Sequence, residues 1–318
     1  MSDIPPGNLD EEIDKILKKN KLHCSHRVIF FILSFYGIYI LSGFVVGAIT
    51  ILYVSTTGNV EEMQNFVPSE KTVAYGNLLV GFPLAIICFI LYALFRKFLD
   101  KEKVFERVSS KKALTNSICG FICGATPILL IAALLIFACD AKLTASPSVG
   151  VFTLVSFICF IPLGFIEELI FRGYIQRMLD EEGYPVIAIA TSAILFWVVH
   201  GMNPEIWSSP LPSLNLFLAG VLFCVAYKLT GSLIFVTVMH FAWNQAQGPL
   251  LGIPVSGLKM EGLYSLNMAG MQSWLSGGKF GLEGSLATSF ILITMILIFS
   301  LLLHMRQRVY KKDLKVES

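Results

Sequence analysis

The chain has 318 residues, of which 55% are hydrophobic and only 14% charged, with a mean hydropathy of +0.71. That is too apolar for a soluble domain of this length and predicts a polytopic membrane protein. A net charge of +2, with no basic stretch interleaved with aromatics, excludes a nucleic-acid partner and leaves the lipid bilayer as the first one.

The first 27 residues are polar and of both signs, so no cleavable signal peptide is expected ahead of the first span. They read as a cytoplasmic tail with a short amphipathic helix near Leu9–Leu22. A span needs about 20 mostly apolar residues. Eight runs qualify in outline: Val28–Val54, Tyr75–Phe95, Ala113–Cys139, Val151–Phe171, Pro185–His200, Leu211–Leu229, Ser232–Gln247 and Ser285–His304. The fifth and seventh are short and need help from neighbours. The fourth can instead run from Val151 to Leu179 as one long helix whose last turns stand outside the membrane.

Basic residues orient these spans. The N-terminal tail holds Lys15, Lys18, Lys19, Lys21 and Arg27, the second connection Arg96, Lys97, Lys101, Lys103, Arg107, Lys111 and Lys112, and the C-terminal tail Arg306, Arg308, Lys311, Lys312 and Lys315. The first and third connections carry only Lys71 and Lys142. The positive-inside rule therefore puts both termini in the cytoplasm. The predicted fold is an all-α, polytopic transmembrane helical bundle of about eight spans: a tail over 1–27, a single domain over 28–304 with its functional core at about 151–248, and a basic tail over 305–318. The stretch Gly248–Gly284, rich in glycine and interrupted by Pro249 and Pro254, reads as an external or partly re-entrant loop. The seven cysteines form no Cys-x-x-Cys pair and read as reduced packing residues. Lys228, near a helix end, is expected to snorkel.

The polar residues at depth carry the chemistry. Phe165-Ile-Glu167-Glu168-Leu-Ile-Phe-Arg172-Gly173 sets two carboxylates and an arginine in an apolar run, and each charge at bilayer depth costs roughly 2.5–3.5 kcal/mol on insertion scales. Glu168 and Arg172 are four apart and suited to a structural ion pair, which leaves Glu167 about 100° round the helix. At 1.5 Å per residue, Glu167 and His200 each lie about 24–26 Å from the turn near Glu182–Gly183, on antiparallel helices. They are expected at one depth. His240 and Asn244 share a face of the seventh span, as do Phe196 and His200 of the fifth.

Taken singly, each histidine and Asn244 reads as an interhelical hydrogen-bonding group, and Phe196 as a packing wall. Taken together, an acid, two imidazoles and a carboxamide suit amide hydrolysis, with glutamate as general base and the other donors holding the oxyanion. The same groups could instead bind Zn²⁺ through Glu167, His200 and His240 with water in the open position. No His-Glu-x-x-His zinc helix is present. Two rival readings use the same residues: a proton-coupled small-solute transporter, which predicts half-helices and an internal repeat that the sequence does not show, and a non-catalytic membrane scaffold or immunity factor.

Glu167-Glu168-x-x-x-Arg172, Phe196-x-x-x-His200 and His240-x-x-x-Asn244, in that order on three spans, resemble the CPBP superfamily of intramembrane endopeptidases. That superfamily joins type II CAAX prenyl endopeptidases to bacterial bacteriocin-processing and abortive-infection membrane proteases. The resemblance covers about Val151–Gly248, and an eight-span core is similar to the prenyl endopeptidases. It implies that Glu167 and His200 activate water, that His240 and Asn244 stabilise the oxyanion, and that Glu168 and Arg172 support the first pair. The family is labelled metalloprotease, although its apparatus looks like that of a glutamate protease needing no metal. The implied substrate is a membrane-associated protein or peptide, prenylated in eukaryotic members but not of necessity in bacterial ones. The implied site of action is the endoplasmic reticulum membrane in the first case and the bacterial cell membrane in the second.

Overall fold

The computed structural model describes residues 23–57, 70–105, 108–147, 149 and 151–316. The expected amphipathic helix near Leu9–Leu22 lies outside the described residues. Long helices dominate: α1 (Cys24–Thr57), α2 (Glu70–Leu94), α3 (Ser110–Cys139), α4 (Val151–Glu168), α5 (Arg177–Glu181), α6 (Pro185–Val199), α7 (Pro210–Thr230), α8 (Leu233–Gln245), α9 (Ser273–Ser276) and α10 (Leu286–Val316). Among the described residues, seven helices are long and apolar enough to cross a membrane. The chain is an all-α, integral membrane protein.

Local chemistry sets the ends of these helices. Ser109 caps α3 by accepting from the Lys112 N–H at 3.3 Å, and Asp140 ends it in the left-handed conformation, φ 59°. Pro185 and Pro210 occupy first-turn positions of α6 and α7, where the missing N–H costs nothing. A π-helical segment, Leu169–Gln176, joins α4 to α5, so the long fourth helix is one rod from Val151 to Glu181 with a wide turn in its middle.

The seventh expected span, Ser232–Gln247, is present: helix α8, of 13 residues, runs straight on into a π-helical segment, Ala246–Leu250. It begins inside the bundle, capped by Ser232, which accepts from Asn116 Nδ2 at 2.8 Å, with Leu233 packed against Gly173. It survives at that depth because its apolar faces are enclosed by protein. A Cβ on Gly120 would lie 2.5 Å from the Phe235 carbonyl oxygen, and one on Gly124 only 2.0 Å from that of Met239. The Gly120-x-x-x-Gly124 stripe lets the backbones of α3 and α8 touch.

At the basic end, charged groups gather between helices. Arg27 bonds Asp100 at 2.6 Å and Glu182 at 2.5 Å, and Arg96 bonds Asp100 at 3.3 Å and Glu181 at 2.7 Å. This network ties α1 and α2 to the foot of the α4–α5 rod. Arg27, expected in a solvated tail, is buried on α1. Lys228 does not simply snorkel: it pairs with Asp180 at 2.6 Å. The basic C-terminal tail is helical through Val316, and Arg306 donates to the Leu229 carbonyl.

At the opposite end, two connections expected to be irregular pair as an antiparallel ribbon. Strand β1 (Lys142–Ala145) lies against β2 (Tyr264–Asn267), with Lys142 opposite Asn267 and Ala145 opposite Tyr264. Four residues per strand, with β1 exposed throughout, leave no apolar alternation to read. The rest of Gly248–Gly284 folds over the bundle in short helical turns.

Candidate active site

Glu167 and Glu168 stand on the last turn of α4, immediately before the π segment. His200 lies at the C-terminal end of α6, and α8 carries His240 and Asn244. The depth match expected for Glu167 and His200 is realised: Glu167 Oε2 lies 3.6 Å from His200 Nε2 and 4.0 Å from His240 Nε2. These are not direct hydrogen bonds, and the spacing suits a water molecule between carboxylate and imidazoles. Glu167 Oε2 is buried and accepts no hydrogen bond from the protein.

Both imidazoles are held from behind. His200 Nδ1 is 2.7 Å from the Phe196 carbonyl oxygen; a carbonyl only accepts, so Nδ1 carries the hydrogen and Nε2 faces Glu167. His240 Nδ1 is 2.9 Å from Glu168 Oε1, which turns its Nε2 toward Glu167 as well.

Glu168 therefore does two jobs. The expected i,i+4 pair with Arg172 is present at 3.0 Å, with both side chains fully buried, yet the same Oε1 also orients His240. Arg172 in turn donates to the Gly220 carbonyl at 3.0 Å. Its guanidinium lies 4.6 Å from the Phe196 ring centre and 5.1 Å from that of Phe223, a contact between cation and ring faces that is strong when desolvated. Phe196 is the expected wall, 4.5 Å from His200 and 6.1 Å from His240, centre to centre. Phe223, which the sequence reading passed over, stacks on His240 at 4.9 Å.

Glu167, Phe196, His200, His240 and Asn244 all line one cavity of about 270 Å³. Glu168 and Arg172 lie behind its wall. The cavity also contains groups that sequence reasoning missed: Asn215, Trp243, Ser256 and Glu283. Glu283 comes from the glycine-rich loop, where no periodicity marks a buried position. Its Oε1 accepts from Trp243 Nε1 at 3.1 Å, and Oε2 from the Ser256 N–H at 2.6 Å and its Oγ–H at 2.8 Å. Burial pushes the Glu283 carboxyl up from its ordinary range, while these donors oppose the shift.

The donor set a zinc ion would use is Glu167 Oε2, His200 Nε2 and His240 Nε2. Among the described residues, however, no group of three or more His, Cys, Asp or Glu side chains is arranged to hold a metal ion. The carboxylate oxygen stands 3.6 and 4.0 Å from the two imidazole nitrogens, wider than the roughly 3.3–3.5 Å that separates the ligand atoms of a tetrahedral zinc ion.

Fold and cavity together define a polytopic helical membrane protein with a buried carboxylate–imidazole centre. Residues 148–246 match the family model described as Type II CAAX prenyl endopeptidase Rce1-like, in agreement with the CPBP resemblance. The matched stretch carries every residue of the three motifs and supports a CAAX-type, protease-like function. No curated protein and no solved structure matches the chain.

Proposed function

We propose that the chain is an intramembrane endopeptidase that hydrolyses peptide bonds of a membrane-associated protein or peptide. The observation that carries this reading is the approach of one carboxylate oxygen that accepts no hydrogen bond, Glu167 Oε2, to the Nε2 atoms of two separately anchored histidines in a cavity. A water between Glu167 and His200 gives its proton to Glu167 as its oxygen attacks the scissile carbonyl carbon. The oxyanion that forms is held by the Asn244 amide and by His240, which presents an Nε2–H while its Nδ1–H stays on Glu168. Collapse breaks the C–N bond, Glu167 returns the proton to the leaving amine, and a carboxylic acid and an amine are formed, which depart as carboxylate and ammonium once the acid's proton has passed to the amine.

A transporter reading predicts half-helices whose broken ends meet at the binding site. Here the N-terminal end of α8 lies by Asn116 and Gly173, and the cavity takes His240, Trp243 and Asn244 from its second half.

The test is cleavage of a pool of internally quenched peptides by the purified chain in detergent micelles, read by mass spectrometry. The native chain is expected to cut members of the pool and Glu167→Gln to cut none. Equal cleavage by both removes the reading.

A further inference from the structure

One carboxylate ties down the loop that closes the cavity. Glu283 is 7% exposed and shares the cavity with Glu167 and His200. Every polar group that meets its side chain donates to it: Trp243 Nε1–H, Ser256 N–H and Ser256 Oγ–H. An ionised carboxylate accepts from all three, whereas an amide in its place would turn an N–H₂ group against a donor. The Glu283 backbone is fixed independently, because its carbonyl accepts from Asn215 Nδ2 at 2.7 Å.

The carboxylate holds a tight turn. Val255 and Leu258 exchange both backbone hydrogen bonds at 2.9 Å, and the two residues between them, Ser256 and Gly257, have φ of 48° and 83°. Positive φ at both central positions is the signature of a type I′ turn. Serine adopts it at a cost, and the two hydrogen bonds from Ser256 to Glu283 offset that cost. Gly257 is pressed so close to the segment following His200 that a Cβ would lie 2.0 Å from the Pro204 carbonyl oxygen. From the other side, its N–H donates to the Phe280 carbonyl at 2.9 Å. Val255, Ser256 and Leu258 form part of the cavity wall.

We propose that Glu283 is a positioning residue that fixes the Val255–Leu258 turn as a specificity-determining wall of the cavity, setting which peptide segments lie against Glu167 and His200. The proposal rests on the endopeptidase reading for its consequence and on the loop geometry for its cause. Each part has its own measurement.

The first measurement needs no substrate: hydrogen exchange of the full-length chain in detergent micelles, followed by mass spectrometry over residues 254–260. Glu283→Gln is expected to speed exchange at the turn by at least about 10-fold, with α4, α6 and α8 unchanged, and Glu283→Asp to restore part of the protection. Turn exchange equal to the native rate in Glu283→Gln overturns the positioning claim. The second uses one peptide cut from the quenched pool. Glu283→Gln is expected to raise KM by about 10-fold while kcat stays within about threefold, the pattern of lost substrate binding, and Leu258→Ala to change which members of the pool are cut. A fall in kcat with KM unchanged, or an unaltered set of cleaved peptides in both variants, overturns the specificity claim. If the native chain cuts nothing, the endopeptidase reading falls and the specificity claim with it, while the exchange result still decides whether Glu283 holds the turn.

Discussion

His240 Nδ1 lies 2.9 Å from Glu168 Oε1, so an imidazole on helix α8 is aimed by a carboxylate on α4 that also neutralises Arg172. Two helices and the orientation of a cavity histidine meet in one oxygen atom. Glu168→Gln is expected to fail on both counts, because it frees His240 to rotate and leaves a fully buried guanidinium without its charge partner. Breaking a buried pair from one side costs about 3–5 kcal/mol. Thermal unfolding in micelles should show a lowered midpoint, and peptide cleavage should fall with it; a native midpoint would contradict the double role.

Glu167→Gln should behave differently. Its Oε2 accepts no hydrogen bond from the protein and its side chain is 29% exposed, so stability should change by far less than in Glu168→Gln. Loss of a general base costs about 10²–10⁴-fold in rate. An intact unfolding midpoint together with lost cleavage separates this residue from its neighbour; lost folding would mean that Glu167 is structural.

Two helical glycines, Gly124 and Gly47, predict opposite outcomes. Gly124→Ala would drive a methyl group into the Met239 backbone, parting α3 from α8 at a cost of about 1–3 kcal/mol and displacing His240. Gly47→Ala, on α1, meets nothing within 4 Å and should change stability by less than about 0.5 kcal/mol. Unfolding midpoints of the two variants, compared side by side, check this.

Exhaustive chelation, with metal loss confirmed by elemental analysis, should leave peptide cleavage intact, because the proposed mechanism moves the water's proton through Glu167 alone. Activity lost on chelation and restored by Zn²⁺ would reverse this and make Glu167, His200 and His240 the ligands.

Much of the site was legible because helix geometry is regular. The shared depth of Glu167 and His200 follows from residue counts to a common turn, and the faces pairing Phe196 with His200 and His240 with Asn244 follow from i,i+4 spacing. Glu168 was assigned to Arg172 alone because its contact with His240 depends on where α8 begins, and an apolar run does not show that it starts inside the bundle. The Gly120-x-x-x-Gly124 stripe is the sequence signal that α3 approaches a partner closely. Glu283 and the turn at Ser256 were not legible: irregular backbone has no period, and the contacts joining them span 27 residues of loop. The β1–β2 ribbon escaped for a related reason, since its two strands are too short to alternate and lie far apart in the chain.

A second hollow, of about 730 Å³, lies at the basic end of the bundle, lined by Phe165, Gly173, Arg177, Lys228 and Thr237. Phe165 faces that hollow while Glu167, two residues on, faces the smaller one, so α4 is a partition between the two spaces. A compound chosen to fill the roomier space would sit behind Glu167, His200 and His240 without touching them. On the endopeptidase reading, inhibitor screens guided by volume would therefore select the wrong compartment, and a useful lead would be judged by competition at Glu167.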